Sequence, residues 1–91
     1  MKRFEWSDEK NAWLKRVRGI GFEQVIHCIM QGALLDVIDH PNPSRYPGQR
    51  IFIIALEGYA YLVPFVEDSD IVFLKTIIPS RKITKRYIGH D

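Results

Sequence analysis

Three apolar segments rich in β-branched residues dominate the second half of the chain and constrain its fold more than any other feature. They are residues 51–56, 59–66 and 71–78. Glu57-Gly58 has the length of a two-residue hairpin turn, and Glu67–Asp70 turns the chain into the third segment. Strands joined by turns this short pair in antiparallel order. Pro64 falls inside the second segment, which predicts an edge position or a bulge there.

Two segments in the first half have the spacing of short amphipathic helices. Residues 8–18 follow Ser7, a favourable N-cap, and end before Gly19, which favours a left-handed C-cap. Residues 22–31 place apolar side chains at helical spacing and end at Gly32. Two successive helices with one apolar face each need a sheet to cover.

The remaining segments complete the predicted order of elements. Phe4–Trp6 and 34–38 have strand patterns, 40–50 is a loop with three prolines, and Ser80 favours a final helix over 81–87. The order β-α-α-β-β-β-β-α predicts an α+β fold. We expect an antiparallel sheet covered on one face by the two N-terminal helices.

Length and composition narrow the class of protein. Ninety-one residues make one domain, 1–91, and 46% hydrophobic residues can form a core. No stretch approaches the roughly 20 apolar residues of a membrane span. The charged N-terminus does not resemble a signal peptide, and the lone Cys28 excludes an internal disulfide, so we expect a cytoplasmic protein with Cys28 buried. We expect the terminal His90 to be disordered.

Positive charge concentrates near the C-terminus. Between Lys75 and Tyr87 the chain has no carboxylate and five cationic side chains, which are Lys75, Arg81, Lys82, Lys85 and Arg86. Basic side chains at the end of a rigid strand can hold a phosphate backbone. The alternative is a solvated helix face without a ligand.

Both ends of the chain carry short motifs of one known family. Phe4-x-Trp6-x-x-x-Lys10 and Arg18-Gly19-Ile20-Gly21-Phe22-Glu23 stand where the BrnT toxins read F-x-W-D-x-x-K and K-H-G-V-S-F-E-E-A. Residues 78–87 are similar to the family's I-S-x-R-x-A-x-x-x-E. Arg18 replaces the family's histidine, Pro79 its serine, and the last helix lacks the glutamate. The loop at 40–50 has no counterpart in the common pattern.

The resemblance implies a RelE-like fold and a ribonuclease toxin of a bacterial type II toxin–antitoxin system. It further implies a cognate antitoxin of the ribbon-helix-helix or a similar DNA-binding type, with operator DNA contacted only through that antitoxin. The substrate would be RNA, free or as ribosome-bound mRNA, and translation and growth would be inhibited. The family's arginine after the last strand falls on Arg81, and Lys85 lies in the basic stretch that follows.

Metal-independent RNA cleavage needs a group that deprotonates the 2′-hydroxyl, a cation that stabilises the phosphorane and a donor for the leaving 5′-oxygen. Arginine forks onto phosphate oxygens, and histidine transfers protons near neutral pH. The predicted catalytic residues are Arg81, His40 and Lys85. The predicted RNA-binding residues are Lys75, Arg45, Tyr46, Lys82 and Arg86. His40 before Pro41 is alternatively a turn residue, and Lys75 a solubilising charge on a strand.

Other chemistries have little support in the sequence. The three histidines and one cysteine lack metal-ligand spacing, so we expect no metal and no cofactor. A second class of function stays open, in which the protein is a non-catalytic module that regulates a DNA-binding antitoxin. A third is a plain RNA-binding domain, which would bind RNA in a salt-dependent way without forming product.

Overall fold

The computed structural model describes residues 2–89, so His90 lies outside the described residues. In chain order the elements are β1 (Arg3–Glu5), α1 (Asp8–Arg18), α2 (Phe22–Met30), β2 (Leu34–Asp39), β3 (Arg50–Leu56), β4 (Tyr59–Glu67), β5 (Ile71–Leu74), β6 (Ile78–Pro79) and α3 (Arg81–Tyr87). α1 and α3 have the predicted bounds, and α2 ends at Met30, one residue earlier than predicted. Ser7 accepts a hydrogen bond from the Lys10 N–H, and Gly19 takes a left-handed φ of 72°. The α+β class is confirmed.

The sheet is mixed, which corrects the expectation of a purely antiparallel one. Its strand order is β1-β5-β4-β3-β2, with β6 also paired to β4. β1 runs parallel to β5, in the register Phe4 to Val72, and the other pairs are antiparallel. A parallel pair needs a long connection between its strands. Here that connection includes both N-terminal helices and β2 to β4.

The predicted strand 71–78 is divided into β5 and β6 by one extra residue. Phe65 pairs with Leu74 and Leu62 with Ile78, so four residue steps (78 − 74) oppose three (65 − 62). Pro64 of β4 lies opposite this break, and its carbonyl accepts a 2.8 Å hydrogen bond from the Lys75 N–H. Proline has no N–H, so it is tolerated where the ladder is interrupted on that side. The prediction for Pro64 is confirmed.

One face of the sheet packs against α1 and α2 and forms the main core. The buried side chains there are Leu14, Ile20, Phe22, Val25, Cys28, Ile54, Val63, Phe65, Val72, Leu74 and Ile77. Phe52 and Phe65 stack with ring centroids 3.9 Å apart. Cys28 is buried as expected, and burial raises the pKa of its thiol. This core fixes the direction in which each strand presents its outer residues.

The opposite face is also covered in part, which corrects the expectation of a single covered face. There α3 packs Ile83, Tyr87 and Ile88 over Ile51, Ile53 and Ala60 of β3 and β4. Because neighbouring residues of a strand point to opposite faces, this second cluster uses the alternate positions of the same two strands. The sheet is therefore sandwiched between the helix pair and α3.

The turn between α1 and α2 is fixed by a buried side chain. Asn11, 6% exposed, accepts a 2.8 Å hydrogen bond from the Phe22 N–H through Oδ1 and donates to the Glu23 carboxylate at 3.0 and 3.1 Å through Nδ2. The hydrogen bond from Asn11 lowers the pKa of Glu23, with a further contribution from Lys15. A Cβ on Gly21 would lie 2.9 Å from Asn11 Oδ1 and 2.5 Å from Lys15 Cε, so the turn fits closely only with glycine. Within residues 2–89 no helix is long and apolar enough to cross a membrane.

Candidate nucleic-acid interface

The outer face of α3 presents four cations in two adjacent rows. Arg81 and Lys85 are four residues apart, as are Lys82 and Arg86, so each pair lies along one side of the helix. All four side chains are exposed. Among residues 2–89, none of the ion pairs involves any of them. We call this surface the α3 basic face.

The helix that carries these charges is not stable by its own sequence. It has seven residues, below the length at which isolated helices form. Arg81 and Lys82 occupy the first turn, where the macrodipole favours acidic residues and disfavours cations. Like charges four residues apart cost about 0.2–0.5 kcal/mol per pair. Tertiary contacts must offset these terms.

Side chains near the start of α3 supply part of that support. The Ser80 hydroxyl caps the helix by accepting from the Ile83 N–H at 3.1 Å. Thr84 is 5% exposed; its hydroxyl accepts from the Ala60 N–H at 2.8 Å and donates to the Ser80 carbonyl at 2.7 Å. These bonds fasten the first turn of α3 to β4. The basic face is therefore held on a rigid base.

The last turn of α3 is fastened separately to the edge strand β2. The Tyr87 hydroxyl donates a 2.8 Å hydrogen bond to Asp36 Oδ2. This hydrogen bond raises the pKa of Tyr87, and desolvation and the Asp36 charge act in the same direction. No sequence signal links two residues 51 positions apart, so this contact was not predicted.

Lys75 lies on the same side of the sheet as α3. Val72 and Leu74 point into the main core, so Phe73 and Lys75 point to the opposite face. Lys75 Nζ lies 5.5 Å from the centroid of the Phe73 ring, and the lysine is exposed. The cation thus adds to the positive charge on the α3 side.

His40, Arg45 and Tyr46 form a separate group in the loop between β2 and β3. The rings of His40 and Tyr46 stack with centroids 4.3 Å apart, and the Arg45 guanidinium carbon lies 5.8 Å from the Tyr46 centroid. His40 Nδ1 accepts a 3.0 Å hydrogen bond from the Asn42 N–H, so the ring proton of neutral His40 is on Nε2. In this tautomer Nε2 is a hydrogen-bond donor.

The structure does not bring His40 together with Arg81 and Lys85. The start of α3 lies level with Ala55 of β3, because the Ser80 N–H bonds to the carbonyl of Ala60, the cross-strand partner of Ala55. His40 lies level with Gln49, because the His40 N–H bonds to the Gln49 carbonyl. Six residue steps (55 − 49) separate these levels of the sheet, about 20 Å at the rise of a strand. The last turn of α3 lies nearer to His40, because Tyr87 bonds to Asp36. Asp36 precedes His40 by four residues, a distance of about 13 Å along the strand. Arg81 and His40 therefore do not act on one phosphate.

A pocket of about 330 Å³ lies beside the His40 and Tyr46 rings. Its lining residues are Asp39, His40, Pro43, Tyr46, Gly48, Gln49 and Arg50. Asp39 and Arg50 are cross-strand partners, and Arg50 Nε lies 3.6 Å from Asp39 Oδ1. Sequence reasoning missed these two residues, because they become neighbours only when β2 and β3 pair. We call this site the β2–β3 pocket.

A second, wider groove runs along α1 on the other side of the molecule. It has a volume of about 670 Å³ and is lined by Ser7, Glu9, Lys10, Ala12, Trp13 and Arg16. Trp13 is 36% exposed, and Lys10 Nζ lies 4.5 Å from its ring centroid. Because α1 and α3 cover opposite faces of the sheet, this groove is not continuous with the α3 basic face.

In the part of the chain that the structure describes, no three His, Cys, Asp or Glu side chains cluster as metal ligands would. Comparison with known proteins finds no family model, no curated protein and no solved structure that matches the chain. The resemblance to BrnT toxins thus stays a prediction.

Proposed function

We propose that this protein is a RelE-like, metal-independent endoribonuclease that acts as the toxin of a type II toxin–antitoxin pair. The observation that carries the proposal is the α3 basic face, four exposed cations without an ion-pair partner among the described residues. Arg81 and Lys82 in the first turn oppose the helix macrodipole, whereas Lys85 and Arg86 in the last turn complement it. A polyanion that lies across the face relieves the repulsion and gains four charge-assisted contacts.

In the proposed cleavage step, Arg81 and Lys85 of one row act together on a single phosphate. The Arg81 guanidinium grips two non-bridging oxygens of a phosphate and stabilises the charge that grows on the phosphorane. The 2′-oxygen bonds to phosphorus as its proton passes to water, and the bond from phosphorus to the 5′-oxygen breaks. The Lys85 ammonium, one helical turn further on, donates a proton to the leaving 5′-oxygen. The products are a 2′,3′-cyclic phosphate and a 5′-hydroxyl.

The remaining cations of this side position the strand. Lys82 and Arg86 form the second row of α3, and Lys75 projects from the face of the sheet that α3 covers. They bind neighbouring phosphates and carry no sequence information by themselves. A neutralising antitoxin, proposed as a DNA-binding protein of ribbon-helix-helix or similar type, would place acidic side chains over these cations.

Purified protein tests the proposal directly. Single-stranded RNA of mixed sequence, and ribosomes programmed with mRNA, are incubated with the wild type in the presence of a chelator. We expect fragments that end in cyclic phosphate. Arg81→Ala and Lys85→Ala should each reduce the cleavage rate at least about 100-fold, the usual effect of losing one charge-stabilising or proton-transfer group. Arg16→Ala on α1 is the matched control and should cleave at the wild-type rate.

Growth of cells that express each variant is followed in parallel. Arrest by the wild type and Arg16→Ala, but not by Arg81→Ala, would agree with the cleavage assay. Toxicity that persists in a folded Arg81→Ala protein would refute the site. Wild-type protein that binds RNA but forms no product on either substrate would instead favour a plain RNA-binding domain.

A protein that neither binds nor cleaves RNA would leave the non-catalytic module as the better candidate. The half-exposed Trp13 in its groove on α1 is the observation that favours that candidate, since exposed tryptophans are frequent anchors of protein interfaces.

A further inference from the structure

We propose that the β2–β3 pocket binds one unpaired guanine base of the RNA strand, at a distance from the phosphate held by α3. This inference rests on the proposed function, since it assigns the part of the substrate that a second site recognises. The pocket lies about 20 Å along the strands from the start of α3. Arg50 pairs with both Asp39 and Phe65, so the two charged side chains project to the α1–α2 face of the sheet and not to the α3 face. A single strand that leaves α3 therefore reaches the pocket at the ends of β2 and β3, with different nucleotides at the two sites.

The wall of the pocket suits a flat aromatic ligand. His40 and Tyr46 present two rings at 4.3 Å and 30° to each other, and Tyr46 is 37% exposed. Unpaired RNA bases are recognised mainly by stacking on such side chains, including histidine and tyrosine. A pocket of about 330 Å³ has room for one base and its sugar, and not for a duplex.

The loop that forms the pocket is held in place by its own hydrogen bonds. The Tyr46 N–H bonds to the Asn42 carbonyl at 3.0 Å, and the His40 N–H bonds to the Gln49 carbonyl at 3.1 Å. The Asn42 side chain accepts from the Ser44 hydroxyl at 3.2 Å and from the Arg45 N–H at 3.3 Å. A loop ordered before binding loses little entropy when a ligand enters. The site is thus preformed.

The polar rim of the pocket discriminates among the bases. Asp39, with a side chain 92% exposed, presents two carboxylate oxygens beside the Arg50 guanidinium at 3.6 Å. The same guanidinium also lies 3.6 Å from Glu67 Oε1 through its Nη1 atom. Guanine carries two adjacent N–H donors, N1 and N2, next to the O6 acceptor, so it matches a carboxylate followed by a cation. Adenine and cytosine offer the carboxylate only one amino group. Uracil places a carbonyl on each side of its single N–H, and these repel the carboxylate.

Binding of short oligouridines that contain one internal guanosine, adenosine or cytidine tests the assignment. Fluorescence anisotropy is measured with 2′-O-methyl RNA, which cannot be cleaved. We expect the guanosine strand to bind about 10-fold more tightly than the uridine-only strand, because guanine gains charge-assisted hydrogen bonds that uracil cannot make. Tyr46→Ala should abolish that difference, whereas Tyr46→Phe, which keeps the ring, should retain it. Asp39→Asn should lose the preference for guanosine over adenosine.

Arg81→Ala separates this inference from the proposed function. It should weaken all strands by the same factor and leave the ratio between guanosine and uridine strands unchanged. RNA binding without base preference, a preference for another base, or equal weakening of all strands by Tyr46→Ala would overturn the pocket assignment while the nuclease proposal stands. A guanosine preference without cleavage of unmodified RNA would support the pocket and refute the nuclease. Absence of RNA binding by the wild type would overturn both.

Discussion

The Tyr87 hydroxyl donates a 2.8 Å hydrogen bond to Asp36 Oδ2 and so joins the last turn of α3 to the edge strand β2. Together with the Thr84 contact to Ala60, it sets the angle at which α3 crosses the sheet. The cations of α3 then point away from the sheet because the other side of the helix is buried on it. The position of the charged surface thus depends on Tyr87 and Thr84, which are themselves uncharged.

The Asp36–Tyr87 bond predicts how stability changes at alkaline pH. Asp36 raises the pKa of Tyr87 in the folded state above the unfolded value of about 10. A raised folded pKa gives stability that is fully present below the unfolded pKa and is lost as pH rises through the folded pKa. Urea unfolding of the wild type and Tyr87→Phe should therefore differ most at neutral pH and converge above about pH 10. Tyr46→Phe is the control, and a constant difference across this range would contradict the assignment.

Thr84→Val should destabilise the protein while it preserves side-chain volume. The change leaves the buried Ala60 N–H without its acceptor, which costs about 1–3 kcal/mol. For a domain of this size the melting temperature should fall by about 4–8 °C per kcal/mol. Thr84→Ser retains the hydroxyl, so its melting temperature, measured by calorimetry, should fall much less. A larger loss in Thr84→Ser than in Thr84→Val would show that the methyl group, and not the hydrogen bond, stabilises this position.

Asn11→Ala should destabilise the turn between α1 and α2 by a similar mechanism. The buried Phe22 N–H loses its acceptor, at about 1–3 kcal/mol, and Glu23 loses the hydrogen bond that chiefly lowers its pKa. Chemical denaturation measures the first effect, and NMR titration of the Glu23 carboxyl the second. Asn11→Asp keeps the acceptor for Phe22 but places a second carboxylate beside Glu23, so it should raise the pKa of Glu23. An unchanged Glu23 pKa in both variants would contradict the proposed cause.

The salt dependence of RNA binding should count the contacts of the α3 basic face. For single strands the slope of log K against log salt concentration is about −0.7 for each phosphate contact. Lys82→Gln and Arg86→Gln should each reduce the magnitude of the slope by about 0.7, and together by about 1.4. Arg16→Gln on α1 should leave it unchanged. Anisotropy titrations at several salt concentrations provide the slopes, and a slope insensitive to both changes would place the RNA elsewhere.

The sequence alone determined the local elements of this protein. Caps at Ser7, Gly19 and Ser80 fixed the helix ends, because a cap acts through hydrogen bonds within one turn. The apolar runs and the Glu57-Gly58 turn fixed the β3–β4 hairpin for the same local reason. The cations at 81–86 were also visible as a sequence run, and their helix gave them a common face.

Only the tertiary structure decided which of these parts meet. The parallel pairing of β1 with β5 and the placement of α3 on the second face depend on contacts between residues far apart in the chain. The same is true of the separation of His40 from Arg81 and of the contact between Asp39 and Arg50. Such pairings are selected by the burial of whole faces of the sheet, and local propensity carries no information about them. For that reason the sequence shows which residues are charged or aromatic, whereas only the fold shows that they lie in two separate groups.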